Sequence, residues 1–265
     1  MLTPELREFA QTPDRYTWLS DDVERYADER VCLVQGNTWA VVTGLRVADG
    51  DVQELIAEIH ERVPPEKSLT WWIDPDATPT DLYEQFLSFG FRQPSDGHGL
   101  LHALACVDEP PAGPPDVHVT RVETFEDHLA AFEVMWDAFS TPPERRDEQR
   151  PHLRAEFEAA EGAGVPVTFL GRIDGVPVGV GRSIYSDRGV FLIAGSVADH
   201  ARGRGVYRAL VRARWDDAVA RGTPALVTEA VHDTSYPILK RVGFVDVCEI
   251  RRLEDQSSGR TPPSS

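Results

Sequence analysis

Cysteine, methionine and lysine are scarce in this chain of 265 residues, which holds three, two and two of them. The thiols, Cys32, Cys106 and Cys248, are odd in number and far apart. They build neither a disulfide framework nor a zinc site, and fit free thiols in a reducing cytosol. No run approaches the ~18 apolar residues of a membrane span, and the acidic opening MLTPELREFAQTPDRY lacks the apolar stretch of a secretory signal. Positive charge is also short. With 27 Lys+Arg against 44 Asp+Glu, the net of −17 argues against nucleic acid or an anionic membrane as partner. The expectation is a cytoplasmic protein without metal, nucleic-acid or membrane chemistry.

The chain does have enough apolar residues (41%) for a core and enough length for two small domains. Residues 1–112 carry 8 Lys+Arg against 21 Asp+Glu, a net of −13, while residues 113–265 carry 19 against 23. This asymmetry serves solubility, and would also attract a cationic substrate. Between the halves, Asp108–Asp116 (DEPPAGPPD) is too proline-rich for a helix or central strand and reads as a linker. The expected domains are 1–112 and 113–256, followed by a disordered tail, 257–265, without apolar anchors.

The second half parses readily. Val117–Val122 alternates like a strand, and Thr124 with Asp127 three residues on suits a helix start. Phe125, Leu129, Phe132, Trp136 and Phe139 then form one apolar stripe. A polar helix over 144–161, three strands (166–172, 176–185, 189–197), a helix to Ala220, a strand at 225–230, a short helix at 235–242 and a strand at 244–252 complete it. The order predicts a mixed α/β (α+β) domain with a mainly antiparallel sheet flanked by helices.

Chemistry concentrates in Val197-Ala-Asp-His-Ala-Arg-Gly-Arg-Gly-Val-Tyr-Arg208, where a strand ends and a helix begins. Glycines let backbone approach a bulky anion, the helix start supplies free N–H groups, and Arg202, Arg204 and Arg208 add charge. That is a pyrophosphate cradle of neither the Walker nor the GxGxxG kind. The stretch resembles the loop of the GCN5-related N-acetyltransferase (GNAT) superfamily, Arg/Gln-x-x-Gly-x-Gly/Ala. It matches at Arg202 and Gly205 and departs where Tyr207 replaces a small residue. Downstream, Pro237–Phe244 (PILKRVGF) is similar to the family's short helix and Gly-Phe turn. Together the likeness covers about residues 117–252.

The resemblance implies acetyl transfer from acetyl-CoA to a primary amine, carried by a small molecule or a protein, with a homodimer as the oligomer to test. It places the pyrophosphate on Arg202, Gly203, Arg204, Gly205, Val206, Tyr207 and Arg208, and the pantetheine amides on Val197 and Ala198 in a splay between strands 189–197 and 225–230. Glu229, at the end of strand 225–230, either takes a proton through water at the splay or is turned by strand alternation to the outer face, and His200 and Asp233 flank the mouth. The family often places a tyrosine acid four residues before the glycine of the Gly-Phe turn. Leu239 stands there, so Tyr236, nearly on the same helix face, is the candidate acid. The rival class is a non-enzymatic acyl-CoA-binding regulatory module.

The first half resembles a degenerate copy. Leu82–Phe91 (LYEQFLSFGF) aligns with Ser235–Phe244, and Gly44–Asp49 with Gly195–Asp199, each before an amphipathic helix. Only Gly50 stands where the second half has its Arg-Gly loop, and Asp49 and Asp51 would repel a pyrophosphate. The chain is thus read as two tandem GNAT-like domains, one with a cradle. Elsewhere, His98 and His102 lie in a strand-like run where an i,i+4 spacing does not converge on a metal. Cys248 reads as core, Trp71-Trp72 as one inward and one outward ring, and Ser183 and Ser196 lack a His/Asp pattern.

Overall fold

The computed structural model describes residues 2–17, 19, 23–95, 97–159 and 166–255; the expected tail lies outside these. Compactness divides the chain into two units: Met1–Leu104 with Glu229–Leu239 and Val245–Ser265, and Ala105–Thr228 with Lys240–Phe244. The division does not follow the proline-rich boundary, because the final strand is built into the first unit's sheet. No helix among the described residues is long and apolar enough to cross a membrane.

The first unit begins with α1 (Pro4–Gln11), β1 (Glu24–Ala27), β2 (Cys32–Gln35) and β3 (Trp39–Thr43), followed by α2 (Val52–Arg62) and β4 (Ser68–Ile73). Then come α3 (Leu82–Ser88) and β5 (Leu100–Cys106). On α2, Val52, Leu55, Ile56 and Ile59 are buried, the one-sided stripe of a 3.6-residue period. Strand alternation turns Trp71 fully inward and leaves Trp72 half-buried. The Trp71, Phe86 and Phe91 rings meet at 4.7–5.8 Å, tilted or edge-on, so truncating one to alanine costs about 3–5 kcal/mol.

The second unit holds β6 (Val117–Arg121), α4 (Phe125–Ala138), α5 (Pro143–Gln149), α6 (Leu153–Ala159), β7 (Val167–Ile173), β8 (Val176–Tyr185) and β9 (Val190–Val197). After α7 (Val206–Ala220), β10 (Leu226–Val231) begins in this unit. Its end and α8 (Ser235–Arg241) return mostly to the first unit, as does β11 (Val245–Glu254). Thr124 caps α4 by accepting from the Asp127 N–H at 3.2 Å. The polar helix expected over 144–161 is divided: α5 and α6 are separated by a 3₁₀ turn at Arg150–His152. Pro151 is the cause, since it lacks an N–H and crowds the preceding turn.

In the first unit the strand order is β1-β2-β3-β4-β11-β5, and in the second β10-β9-β8-β7-β6. β3 and β4 run parallel through four residue pairs, Trp39↔Ser68 to Val42↔Trp71. β11 lies antiparallel to β4, Arg251 opposite Ile73. β6 to β9 are antiparallel neighbours, and β10 is parallel to β9. Glycines on the sheet let α7 sit close: a Cβ at Gly179 would come within 2.5 Å of Val206 Cγ1.

Residues Asp108–Asp116, expected as a plain linker, are instead strapped along α7. Glu109 pairs with Arg212 at 2.6 Å, and Arg212 also donates to the Pro110 carbonyl. A Cβ on Gly113 would fall 2.4 Å from the Ala209 Cβ, and Asp116 pairs with Arg204 at 3.1 Å. Proline stiffness suits an extended strap as well as it suits a spacer.

Candidate active site

The site grows from the end of β9. The parallel ladder with β10 holds only Leu226↔Val190 and Val227↔Phe191; next along, Thr228 Oγ1 donates to the Leu192 carbonyl at 3.0 Å. On its other edge β9 slips register: Val180 pairs with Ser196 but Arg182 with Ile193. Ala194 and Gly195 therefore stand opposite Gly181 alone, and Ala194 takes φ +49°. This is a β-bulge, a device that re-aims a strand and breaks its pairing. Gly195 is exposed, and Ile193, Ala194 and Val197 are half-buried.

Backbone alternation fixes what β9 offers. The Ala198 N–H donates to Val178 O at 2.9 Å, toward β8, so the N–H and C=O of Val197 point to the opposite edge. Ala198 itself is fully engaged, because its carbonyl accepts from the Ala201 N–H at 2.9 Å. A 3₁₀ turn, Asp199–Ala201, leads into Arg202–Gly205.

The ladder of α7 starts with the Ala209 N–H on Gly205 O, leaving the N–H groups of its first turn ahead of it. Gly203 and Gly205 both have φ +77°, a left-handed conformation that suits glycine. A Cβ on Gly203 would meet nothing within 4 Å, whereas one on Gly205 would lie 2.6 Å from Pro114 Cγ. Gly203 thus borders open space, and Gly205 also makes room for the strap. Arg202 pairs with Asp199 and Arg204 with Asp116, at 2.7 and 3.1 Å. Both arginines are exposed, and exposed pairs are worth ~0–1 kcal/mol, so an arriving anion exchanges partners at little cost. Arg208 is half-buried, and its Nε has no hydrogen-bond partner among the described residues. Open glycine, unbonded helix N–H groups and three arginines fit a diphosphate.

Glu229 and Tyr236 fall in the first unit. Glu229 Oε1 is buried without a hydrogen-bond partner among the described residues; burial, and then Asp14, raise its pKa well above the usual carboxylate value, with Arg252 opposing. Tyr236 stacks on His102, ring centroids 4.0 Å apart, and His102 Nε2 lies 2.7 Å from His232 Nδ1. Nothing in the strand-like GLLHALACV run marks His232, 130 residues away, as a partner of His102. Leu239 is buried, in keeping with its apolar side chain. His200 is exposed in the turn before the loop. Among the described residues, no group of three or more His, Cys, Asp or Glu is placed to hold a metal.

A second unforeseen group lies behind the bulge. Arg214 of α7 is fully buried, donating from Nε to Leu210 O at 3.1 Å and from Nη1 to Arg182 O at 3.5 Å. Its only sequence signal is the Gly179-Val-Gly181 pair in a strand, a mark of close approach.

In the first unit the matching edge is filled by the chain itself. Thr78 donates its N–H to Leu45 O and accepts from the Val47 N–H, both at 3.2 Å. The Gly-Phe turns of both halves nevertheless share one conformation, with Gly90 at φ +100° and Gly243 at φ +101°.

No family model matches the chain, and no curated protein matches it. Solved structures do. A GCN5-related N-acetyltransferase from Kribbella flavida is similar at TM-score 0.67 and 17% identity, over 97% of each chain. A tandem GNAT protein from the clavulanic acid biosynthesis pathway is similar at TM-score 0.63 and 11% identity, over 94% of this chain and 87% of that one. One from Sphaerobacter thermophilus reaches TM-score 0.57 at 16% identity, over 86% and 80%. The fold is therefore the GNAT fold, and the described strands fit two GNAT-like halves.

Proposed function

We propose that the protein transfers an acetyl group from acetyl-CoA to a primary amine. The observation that carries this reading is the β9 edge: a parallel ladder that stops at Phe191, a bulge at Ala194–Gly195, and a Gly/Arg loop at a helix start immediately after. An unpaired strand edge calls for peptide-like partners, since a buried backbone group left unbonded costs ~1–3 kcal/mol. Val197 would bond the amides of the pantetheine arm, with Ala198 holding the turn behind it. Arg202, Gly203, Arg204, Gly205, Val206, Tyr207 and Arg208 would cradle the diphosphate.

Bound acetyl-CoA would supply an activated acyl carbon and a thiolate leaving group. As the new C–N bond forms and the C–S bond breaks, Glu229 would take the ammonium proton. Tyr236 would return a proton to the departing sulfur. The acceptor is a small-molecule or protein amine, and the acidity of residues 1–112 favours a cationic one.

Two measurements test this. Calorimetry with CoA should show binding, and acetyl-CoA with a panel of diamines, polyamines and amino acids should release free thiol. Tight binding without release across the panel would favour a regulatory acyl-CoA-binding module. Absence of binding would refute the reading.

A further inference from the structure

Arg214 is a cation in a place that normally expels one. It is 0% exposed, and its Nη2 has no hydrogen-bond partner among the described residues. It donates to the Leu210 and Arg182 carbonyls and to the Tyr207 phenol, and the Tyr185 phenol acts on it electrostatically. Tyr185 donates to Asp217, which already pairs with Arg221 at 2.7 Å. Burying an unpaired charge is strongly unfavourable, so apolar packing of similar volume would stabilise this spot better.

The surroundings are nonetheless shaped around the guanidinium. A Cβ on Gly181 would come within 2.9 Å of Arg214 Cζ. On the other strand, a Cβ on Gly195 would come within 2.9 Å of the Tyr207 ring. Gly181 is the residue opposite the bulge, and Gly195 is half of it. Tyr207, the residue that departs from the family loop, thus bridges the bulge to the buried charge.

We propose that Arg214 is a positioning residue for acyl transfer, setting a fixed positive potential behind the Ala194–Gly195 bulge. The inference rests on the acyl-CoA reading above. An acyl donor with its phosphates at the loop and its arm along Val197 extends back along β9 toward Leu192, so its thioester falls at the bulge. Negative charge develops there twice, on the carbonyl oxygen during attack and on the sulfur as it leaves. A buried charge supported by fixed dipoles acts on both without reorganising.

The test compares Arg214→Met, similar in length and uncharged, with Arg214→Lys, which keeps the charge. Thermal stability, CoA affinity, the thiol pKa of bound CoA (from thiolate absorbance at ~240 nm) and steady-state kinetics are measured on the full chain. Arg214→Met should melt no lower than wild type and bind CoA within about 3-fold. Its bound CoA thiol should titrate about one unit higher, and kcat should fall about 10- to 100-fold at unchanged KM for acetyl-CoA, with Arg214→Lys in between. Unchanged thiol pKa and kcat would overturn the proposal. So would joint loss of stability and CoA affinity in Arg214→Met, which assigns the residue to packing. Should Arg214→Met not fold, Tyr207→Phe decides by the same thiol titration, a shift supporting the bridge and none overturning it. If wild type does not bind CoA, the acyl-CoA reading fails and the inference with it. If it binds without turnover, the thiol titration still judges Arg214.

Discussion

Gly203 and Gly205 share φ +77° but not surroundings, and that difference separates folding from binding at the loop. A left-handed L-residue costs about 1–2 kcal/mol, Asn and Asp being the most tolerant. Gly205→Ala adds a contact 2.6 Å from Pro114, so overpacking of about 1–3 kcal/mol joins the backbone cost. At about 2–4 °C per kcal/mol for a chain of this class, Gly205→Ala should melt roughly 4–20 °C lower. Gly203→Asp faces open space at a helix N-terminus, where a carboxylate is tolerated, and should melt within about 4 °C of wild type. Its charge would, however, face the diphosphate. Each pair of like charges at ~4 Å costs about 1 kcal/mol in water and more when partly screened from it, so two pairs weaken binding at least ~30-fold. Gly203→Asn, the same shape without charge, should bind CoA within about 3-fold of wild type. Calorimetry and melting curves on the three variants read this out. Equal loss of CoA binding in Gly203→Asp and Gly203→Asn, or none in either, would refute the cradle.

Calorimetry should find one CoA per chain, because Thr78 occupies the first unit's edge at Leu45 and Val47; two equivalent sites would contradict that. Cationic amines should be acetylated faster than neutral ones, with the preference fading as salt rises past ~0.1 M, where exposed charges are screened over ~10 Å. Burial, opposed by Arg25, raises the Asp14 carboxyl to about 6. A raised folded pKa contributes stability below about pH 4 that is lost as pH climbs through 6. Asp14→Asn should therefore stabilise by about 1–3 kcal/mol at pH 8 and by nothing at pH 4, checked by urea melts at both. Burial lifts Cys32 and Cys106 to about 11 and Cys248 to about 12, so a disulfide reagent at pH 8 should label none in the native protein and all three in denaturant.

What could be read from the chain alone were the features with a local signature. The α4 cap at Thr124, the strand Val176–Tyr185 and the glycine-bearing loop before α7 each follow from spacing or backbone chemistry within a few residues. The same holds for the repeated Gly-Phe turns, where sequence likeness became one conformation. Hidden were the contacts made across long stretches of chain. The strap of Asp108–Asp116 on α7, the stack of His102 on Tyr236 and the burial of Arg214 each depend on which surfaces meet, and an arginine in an amphipathic helix ordinarily points to water. The polar helix over 144–161 failed for a local reason, Pro151, that a pattern of charges did not weigh.

The seat of β11 between β4 and β5 has a consequence for how the molecule is made. A ribosome releases β4 and β5 long before Val245–Glu254, so the first half emerges with a sheet that lacks the strand between them. Until Val245–Glu254 is free, the edges of β4 and β5 that it covers stand unpaired and open to mispairing. Neither half can therefore be cut away as an autonomous module: a first half expressed alone would lack a strand, and a second half alone would end in one without its bed. Completion of this sheet therefore waits on Val245–Glu254, the strand that enters last in chain order.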